Sequence, residues 1–492
     1  MTPSTGVRTG SNSLGGRVVR GAMWSSAGVV VLRAGGLVSG IVAARLLVPE
    51  HFGVYAVAIV VLTLIGQVAE LGIHSALLRA SKQDFDCVAP TALTLALTSY
   101  SILALALFLL AAPIASAFGT PQADGAMRVL ALCVLLGAPA CIPTAQLRRD
   151  FRMAVQSAIE LVAFAVSTGV MVWLALEGHG AMALVWSRVV GQVVVVVGLQ
   201  LVVTRRYLPG FRADVARDIV RLGLPLVGAT LVGTVVAGVN VFFIGRSVGA
   251  SGVGLFTLGE NVAAWPVGLF LPVLLNVGLP LFAQIRDDPP LVRQVFARCV
   301  ELMMWAFLPV CVLLAVLAPS LVETLYGSRW AGAVVVLQVL TFCKLGEILC
   351  KLCVDVAVAG GLTRRYLLVQ VAWLAVQVPA VWWASGQDVR AVVVANLAVM
   401  LVVVVPAHLA LVRPLVGERA GRVFLTSALP AAAAVAAGLV AVAAGGMGTR
   451  PWTTLVAGGL AGGVAYLLLT ARWVRSALVR ARSLRDMQGS WG

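Results

Sequence analysis

Charge is scarce in this chain, and negative charge is scarcest. Of 492 residues 11% are charged, with 20 Asp and Glu against 36 Lys and Arg. Soluble domains carry about 25%. Histidine occurs four times and nowhere in a spacing that builds a catalytic cluster. No G-x4-G-K-[ST] loop and no H-E-x-x-H is present, so the sequence marks of a nucleotide motor and of a zinc hydrolase are both missing. Of eight cysteines, Cys350 and Cys353 stand as C-x2-C, but no second pair or nearby histidine completes a zinc site. They read as small apolar helix residues. Long polar loops are absent too, and with them the space for a soluble catalytic domain. The chain is expected to be no enzyme and to need no cofactor.

What fills the sequence is apolar surface. Hydrophobic residues make up 60% and the mean hydropathy is +1.00. A water-soluble body of this size could not bury that much, so the solvent must be lipid, in which helices satisfy their own backbone. About fourteen runs are long enough to cross a hydrocarbon core of about 30 Å. They lie near 21–46, 52–79, 88–112, 126–146, 154–176, 181–204, 218–245, 253–282, 297–319, 331–358, 364–384, 389–412, 424–445 and 452–471. The first run is too long for a signal-peptide core and carries Arg33, so it reads as a retained helix behind a disordered basic tail, 1–20. A second basic tail follows at 472–492.

The net charge of +16 would suggest nucleic acid in a soluble protein. Here it lies in short loops beside the membrane, so nucleic acid is not the expected partner and membrane lipids are. Of the 36 basic residues, 26 fall on one side of the predicted topology, among them Arg148, Arg205, Arg286, Arg364 and Arg413. Six fall on the other: Arg45, Arg128, Arg246, Arg329, Arg390 and Arg450. The positive-inside rule then puts both termini in the cytoplasm of a multi-pass protein of the cell membrane.

An internal echo links the ends of the first and seventh runs. Arg45-x7-Gly53-Val54-Tyr55 matches Arg246-x7-Gly254-Leu255-Phe256, an offset of 201 residues and six helices. An even offset gives both copies the same orientation. The expected architecture is therefore all-α, with two parallel-repeat lobes of six helices (21–204 and 218–412) and two appended helices (424–471). Such repeats are a transporter plan with the path between them.

Ionisable groups inside membrane helices are costly and mark function by default. The tenth run holds Lys344, Glu347, Lys351 and Asp355 at spacings of three, four and four, all on one helix face. Each neighbouring pair has the spacing of an ion pair. The face reads either as a self-neutralised seam between helices or as the wall of a hydrated cavity. Arg33 lies deep in the first run and Arg188 in the outer half of the sixth, neither with an acidic neighbour at helical spacing. A planar guanidinium suits phosphate, though Arg188 also has the reach to snorkel outward. Glu70 and Glu260 are candidates for ion coupling. Asn240, with Gln67, Gln370, Gln377 and Asn396, reads equally as path lining or as glue between helices.

Arg45-Leu46-Leu47-Val48-Pro49-Glu50-His51-Phe52-Gly53-Val54-Tyr55 resembles a junction typical of polysaccharide-transport flippases, within the multidrug/oligosaccharidyl-lipid/polysaccharide exporter superfamily. That junction is shifted slightly by His51, and Trp24, Glu70-Leu71-Gly72 with Ser75-Ala76-Leu77, and Gly254-Leu255-Phe256 are similar to further parts of the pattern. The resemblance implies export of a polyprenyl-pyrophosphate-linked oligosaccharide by alternating access, with Arg33, Lys344, Lys351 and Arg188 serving the anionic head. It also implies polysaccharide polymerase and glycosyltransferases as partners in surface-glycan assembly. Two other superfamily functions are alternatives, and only the first is disfavoured by the helix count and the basic first helix. A cation-coupled multidrug antiporter is expected to have twelve helices and an acidic cavity. A peptidoglycan-precursor flippase shares the fourteen helices and differs in its lipid-linked cargo.

Overall fold

The computed structural model describes residues 31–488 apart from 81, 151, 204, 418–427 and 447–449. The basic tail at 1–20 and the start of the first predicted span lie outside the described residues. All regular structure among the described residues is helical. Helix α1 covers 31–46. It is followed by α2 (Pro49–Glu70), α3 (Ile73–Arg79), α4 (Lys82–Ala117), α5 (Ala123–Leu135), α6 (Gly137–Arg149), α7 (Met153–Leu176), α8 (Ala181–Val202) and α9 (Ala213–Val248). Then come α10 (Ala250–Ala263), α11 (Trp265–Ile285), α12 (Pro289–Val316), α13 (Ala318–Leu325), α14 (Ala333–Ala359), α15 (Thr363–Ser385), α16 (Val389–Val399), α17 (Val405–Val416), α18 (Ala428–Gly445) and α19 (Pro451–Gln488).

Eleven described helices are long and apolar enough to cross a membrane, or twelve if the bent pair α5–α6 counts as one span. The exact number fourteen is not reached by that measure. The first predicted span is described only from residue 31, and the eighth is divided into α10 and α11. Several predicted spans are broken, the ninth near its end at Leu317, between α12 and α13. The second breaks at Leu71 and Gly72, both left-handed with φ of 47° and 71°. The fourth bends by 42° around Leu136. The eighth breaks at Ala264, one residue before the Trp265-Pro266 start of α11. A π-turn at Met400–Val404 joins α16 to α17 within the twelfth. The predicted C-terminal tail instead continues α19 as helix to Gln488.

Local chemistry sets the starts. Val48 is extended before Pro49, as the residue before proline prefers, and proline stands in the first turn of α2. Asp288 caps α12 by accepting from Leu291 N at 3.1 Å, and Asp388 caps α16 by accepting from Ala391 N at 2.7 Å. Helix packing uses small residues, as membrane helices must when lipid is as apolar as leucine. Ala89, Ala92 and Ala96 of α4 are fully buried, whereas Ile102, Leu105 and Leu109 point outward.

The chain forms two compact units, Met1–Gly254 and Leu255–Gly492. In the first, Ile73, Leu77, Phe85, Ala138, Cys141 and Ile219 form one core. The connection 205–212 is strapped across its end. Tyr207 Oη donates to Asp86 Oδ1 at 2.5 Å, Arg205 pairs with Asp86 at 2.9 Å, and Thr94 donates to Gly210 O at 2.8 Å. Burial, together with that hydrogen bond, pushes the Tyr207 phenol up to about 12. In the second unit, Phe282, Phe296, Met303, Leu349, Leu352 and Val412 build the main core. There α18 and α19 pack on α12, with Tyr466 Oη donating to Trp305 O at 2.7 Å.

The internal echo has a structural counterpart within the first unit. A Cβ on Gly53 would fall 1.7 Å from Ala250 O, and one on Gly254 would fall 1.8 Å from Pro49 O. Pro49 and Ala250 are separated by the same 201 positions as Gly53 and Gly254. The two contacts are reciprocal at that offset. Both glycines are required by close backbone approach.

Candidate functional site

The charged face of α14 is the densest polar feature of the second unit. Lys344 Nζ donates to Glu347 at 2.9 and 3.1 Å and to Glu260 of α10 at 3.4 Å. One turn further, Lys351 pairs with Asp355. Among the described residues Glu347 and Lys351 form no ion pair, because Lys344 draws Glu347 away and Asp355 takes Lys351. The face therefore divides into a trio and a pair. Two ammonium groups stand against three carboxylates, a formal charge of −1 if all are ionised. This differs from a simply cationic wall.

Exposure separates the two groups. In the trio the Lys344 side chain is 14% exposed, while Glu260 and Glu347 are 38% and 39% exposed. The carboxylates shield the ammonium and themselves face accessible space. In the pair Asp355 is 4% exposed, and its Oδ2 is buried without a hydrogen-bond partner among the described residues. A Cβ on Gly278 of α11 would stand 2.8 Å from that oxygen, so glycine there lets α11 close over the carboxylate. The two trio carboxylates are partly exposed and Lys344 lies beneath them, whereas in the pair Lys351 is 31% exposed and Asp355 is buried.

The pair carries a stability prediction. Lys351→Met should leave Asp355 buried without its counter-charge and cost about 3–5 kcal/mol. Replacing both by Met and Leu should recover most of that loss. Thermal unfolding of the purified protein in detergent checks both variants.

The other predicted site residues lie in the first unit, each in its own setting. Arg33 is exposed on α1. Arg188 of α8 is also exposed, and its charge acts on the Tyr55 hydroxyl of α2 and the Cys133 thiol of α5. Glu70 ends α2 at the left-handed break, within electrostatic reach of Arg148, Tyr100 and Cys141. Asn240 is half-buried on α9. The polar amides prove to be hydrogen-bonded. Gln67 donates to Thr234 at 2.7 Å, Gln370 donates to Tyr366 Oη at 2.9 Å, and Gln377 and Asn396 bond each other while both are buried. The Gln67–Thr234 and Gln377–Asn396 bonds join helices, whereas Gln370–Tyr366 lies within α15.

Two features had no direct sequence signal: the Glu260–Lys344 contact, between residues 84 positions apart, and the left-handed Leu71. Gly72 was the available hint for the second, since glycine tolerates the conformation that Leu71 shares at a cost.

Comparison with known proteins places this geometry in context. Residues 42–335 match a family model described as "Polysaccharide biosynthesis protein". The succinoglycan biosynthesis transport protein ExoT of Rhizobium meliloti (strain 1021) is 25% identical over 346 residues, which is 70% of this chain and 68% of that protein. The lipopolysaccharide biosynthesis protein WzxC of Escherichia coli (strain K12) is 23% identical, covering 68% of each. Among solved structures, the lipid II flippase MurJ in an inward closed conformation aligns with a TM-score of 0.75 at 13% identity, covering 93% of this chain and 100% of that one. An inward-facing multidrug-resistance MATE transporter of the MOP superfamily gives 0.62 at 15% identity, covering 79% and 98%. These structural likenesses concern the fold.

Proposed function

The chain belongs to the polysaccharide biosynthesis protein family, and from that premise we propose that it is a flippase for a polyprenyl-pyrophosphate-linked oligosaccharide. It works by alternating access, moving the sugar head from the cytoplasmic to the outer leaflet for surface-polysaccharide assembly. Both termini are cytoplasmic. Glycosyltransferases supply the cargo and a polymerase consumes it.

The observation that carries this reading is the partly exposed Lys344–Glu347–Glu260 trio inside an otherwise apolar helix body. An anionic head crossing hydrocarbon unaided faces a prohibitive desolvation cost. A hydrated charged wall removes most of it, while the polyprenyl tail stays in lipid. The head engages Lys344 only when Glu260 or Glu347 gives way, by moving aside or by taking a proton. Lys344 is thus held in reserve by its own carboxylates. Arg33 and Arg188, in the first unit, are further guanidinium candidates for an anionic head.

MurJ-like and MATE-like folds accommodate a peptidoglycan-precursor flippase and a drug antiporter as well. The names of the sequence relatives, one a succinoglycan transport protein and one a lipopolysaccharide biosynthesis protein, favour surface glycan. The test is complementation of a host deleted for this chain. Wild-type protein should restore surface polysaccharide, and Arg33→Ala should not, at equal membrane abundance. Normal polysaccharide with Arg33→Ala would remove Arg33 from the cargo path. Failure of wild-type protein to complement would remove the function itself.

A further inference from the structure

Glu260 reaches Lys344 from a different helix, so their contact exists only while α10 lies close against α14. Glu347 differs, because it stands on α14 with Lys344 and keeps it whatever α10 does. The packing of α10 on α14 therefore decides whether one carboxylate or two hold the ammonium. That packing exchanges large and small residues. A Cβ on Gly332, at the start of α14, would stand 2.8 Å from Leu255 Cδ1. One turn further along both helices, a Cβ on Gly259 would stand 2.6 Å from Val336 Cγ1, 2.8 Å from Val336 Cβ and 3.1 Å from Leu337 N. Leu255 thus fills the space over Gly332, and Val336 fills the space over Gly259.

The two rungs differ in how they yield. Over Gly332 the opposing atom is the free end of Leu255, which can swing aside. Over Gly259 the opposing atoms are a backbone nitrogen and the base of buried Val336, a β-branched side chain stiff at χ1. Helix α14 is also anchored. Gln338 donates to Ala315 O of α12 at 3.1 Å, and Gly346, about 200° round the helix from Lys344, is seated against Met400. Bulk at Gly259 is therefore relieved by movement of α10. Glu260 follows Gly259 directly, while Lys344 lies two turns and more past Val336, about 12 Å of helix. Their side chains meet at 3.4 Å, against 2.9 Å for Lys344 and Glu347. The contact is a long reach. A methyl group at 259 needs about 1 Å more room to attain the carbon–carbon optimum of about 3.5–4.0 Å, and that movement takes Glu260 out of pairing distance.

We propose that Gly259 is a positioning residue for the charged site: by letting α10 close on α14 it sets Glu260 against Lys344, and so weakens the hold of Lys344 on an anionic head. The inference rests on the reading of Lys344 as the group that receives that head. A second carboxylate competing for the ammonium keeps the head from binding too tightly to be released.

The test is equilibrium binding of a short polyprenyl pyrophosphate to the full-length protein purified in mild detergent. Damage to a site weakens binding, whereas release of Lys344 from a competing carboxylate tightens it. G259A and E260Q should each lower Kd by roughly twofold to fivefold, the worth of one partly exposed ion pair. G259A/E260Q should bind no tighter than E260Q alone, because both changes remove one contact. K344M should bind more weakly than wild type. Unchanged or weaker binding by G259A beside tightened binding by E260Q would overturn the role of Gly259 and leave the reading of Lys344 standing. Unchanged binding by E260Q, or additive tightening in the double variant, would do the same. Unchanged binding by K344M would remove the reading itself, and the proposal with it. If G259A does not fold, E260D decides. It leaves the helix contact intact, shortens the arm by one methylene and should lower Kd in the direction of E260Q. A wild-type Kd in E260D would show slack in the contact and overturn the proposal.

Discussion

Lys344→Ala is expected to abolish surface-polysaccharide export, and a neutralised variant is expected to show why. Removing the ammonium leaves Glu260 and Glu347, which both contact it now, as neighbouring uncompensated carboxylates. That change alone perturbs structure, so loss of export from the single variant is ambiguous. The triple variant K344M/E260Q/E347Q removes all three charges together. If the trio were only a structural seam, the triple variant would be as stable as wild type and would export normally, because replacing an ion-paired set by neutral residues is often neutral or stabilising. If Lys344 receives the anionic head, the triple variant folds, reaches the membrane and exports nothing above background. Export and detergent-solubilised thermal stability, measured on the same preparations, separate the two.

Gly53→Val is expected to have the second large effect. The new Cβ would occupy the space of Ala250 O, at 1.7 Å, and that neighbour is backbone, with no flexible side chain to move aside. Forcing the α1–α2 and α9–α10 junctions apart costs about 1–3 kcal/mol at least, by the measure of overpacked cores. In an alternating-access cycle such a cost falls only on the state that contains the contact. It shifts the balance between states by roughly tenfold to a hundredfold. Gly254→Val should act alike, because it breaks the reciprocal contact with Pro49. The double variant should be less than additive, since one crossing is lost in all three cases. Initial export rates measured on matched membrane amounts check this. Wild-type rates from both single variants would show that the crossing need not close during transport.

Much of the frame was readable in the residues because lipid imposes one rule on every span. The predicted 154–176 and 181–204 coincide with Met153–Leu176 and Ala181–Val202 to within two residues. The breaks at Leu71–Gly72, Leu136 and Ala264 were not readable from hydropathy. A change in φ at one or two residues leaves an apolar run unchanged in composition. Along α14, helical spacing identified Lys344–Glu347 and Lys351–Asp355 correctly. It over-counted with Glu347–Lys351, because spacing cannot say which of two neighbours a side chain takes. Glu260 was recognised as an ionisable group inside a span, yet its partner came from another helix, 84 residues away. The Gly53 and Gly254 echo was visible as a pattern. Its meaning as a reciprocal backbone crossing required coordinates. Exceptions to the apolar pattern marked the candidate residues, and tertiary packing showed that Lys344 contacts both Glu347 and Glu260.

The central claim is that this chain carries a lipid-linked oligosaccharide across a bilayer. Its most direct test uses the purified full-length protein in liposomes loaded on one leaflet with a polyprenyl-pyrophosphate-linked oligosaccharide. A membrane-impermeant glycosidase on the opposite side reads arrival of the sugar head. The account predicts a rise in cleavable sugar that scales with wild-type protein and is absent with K344M/E260Q/E347Q. No protein-dependent rise, or an equal rise with the neutralised variant, would contradict it.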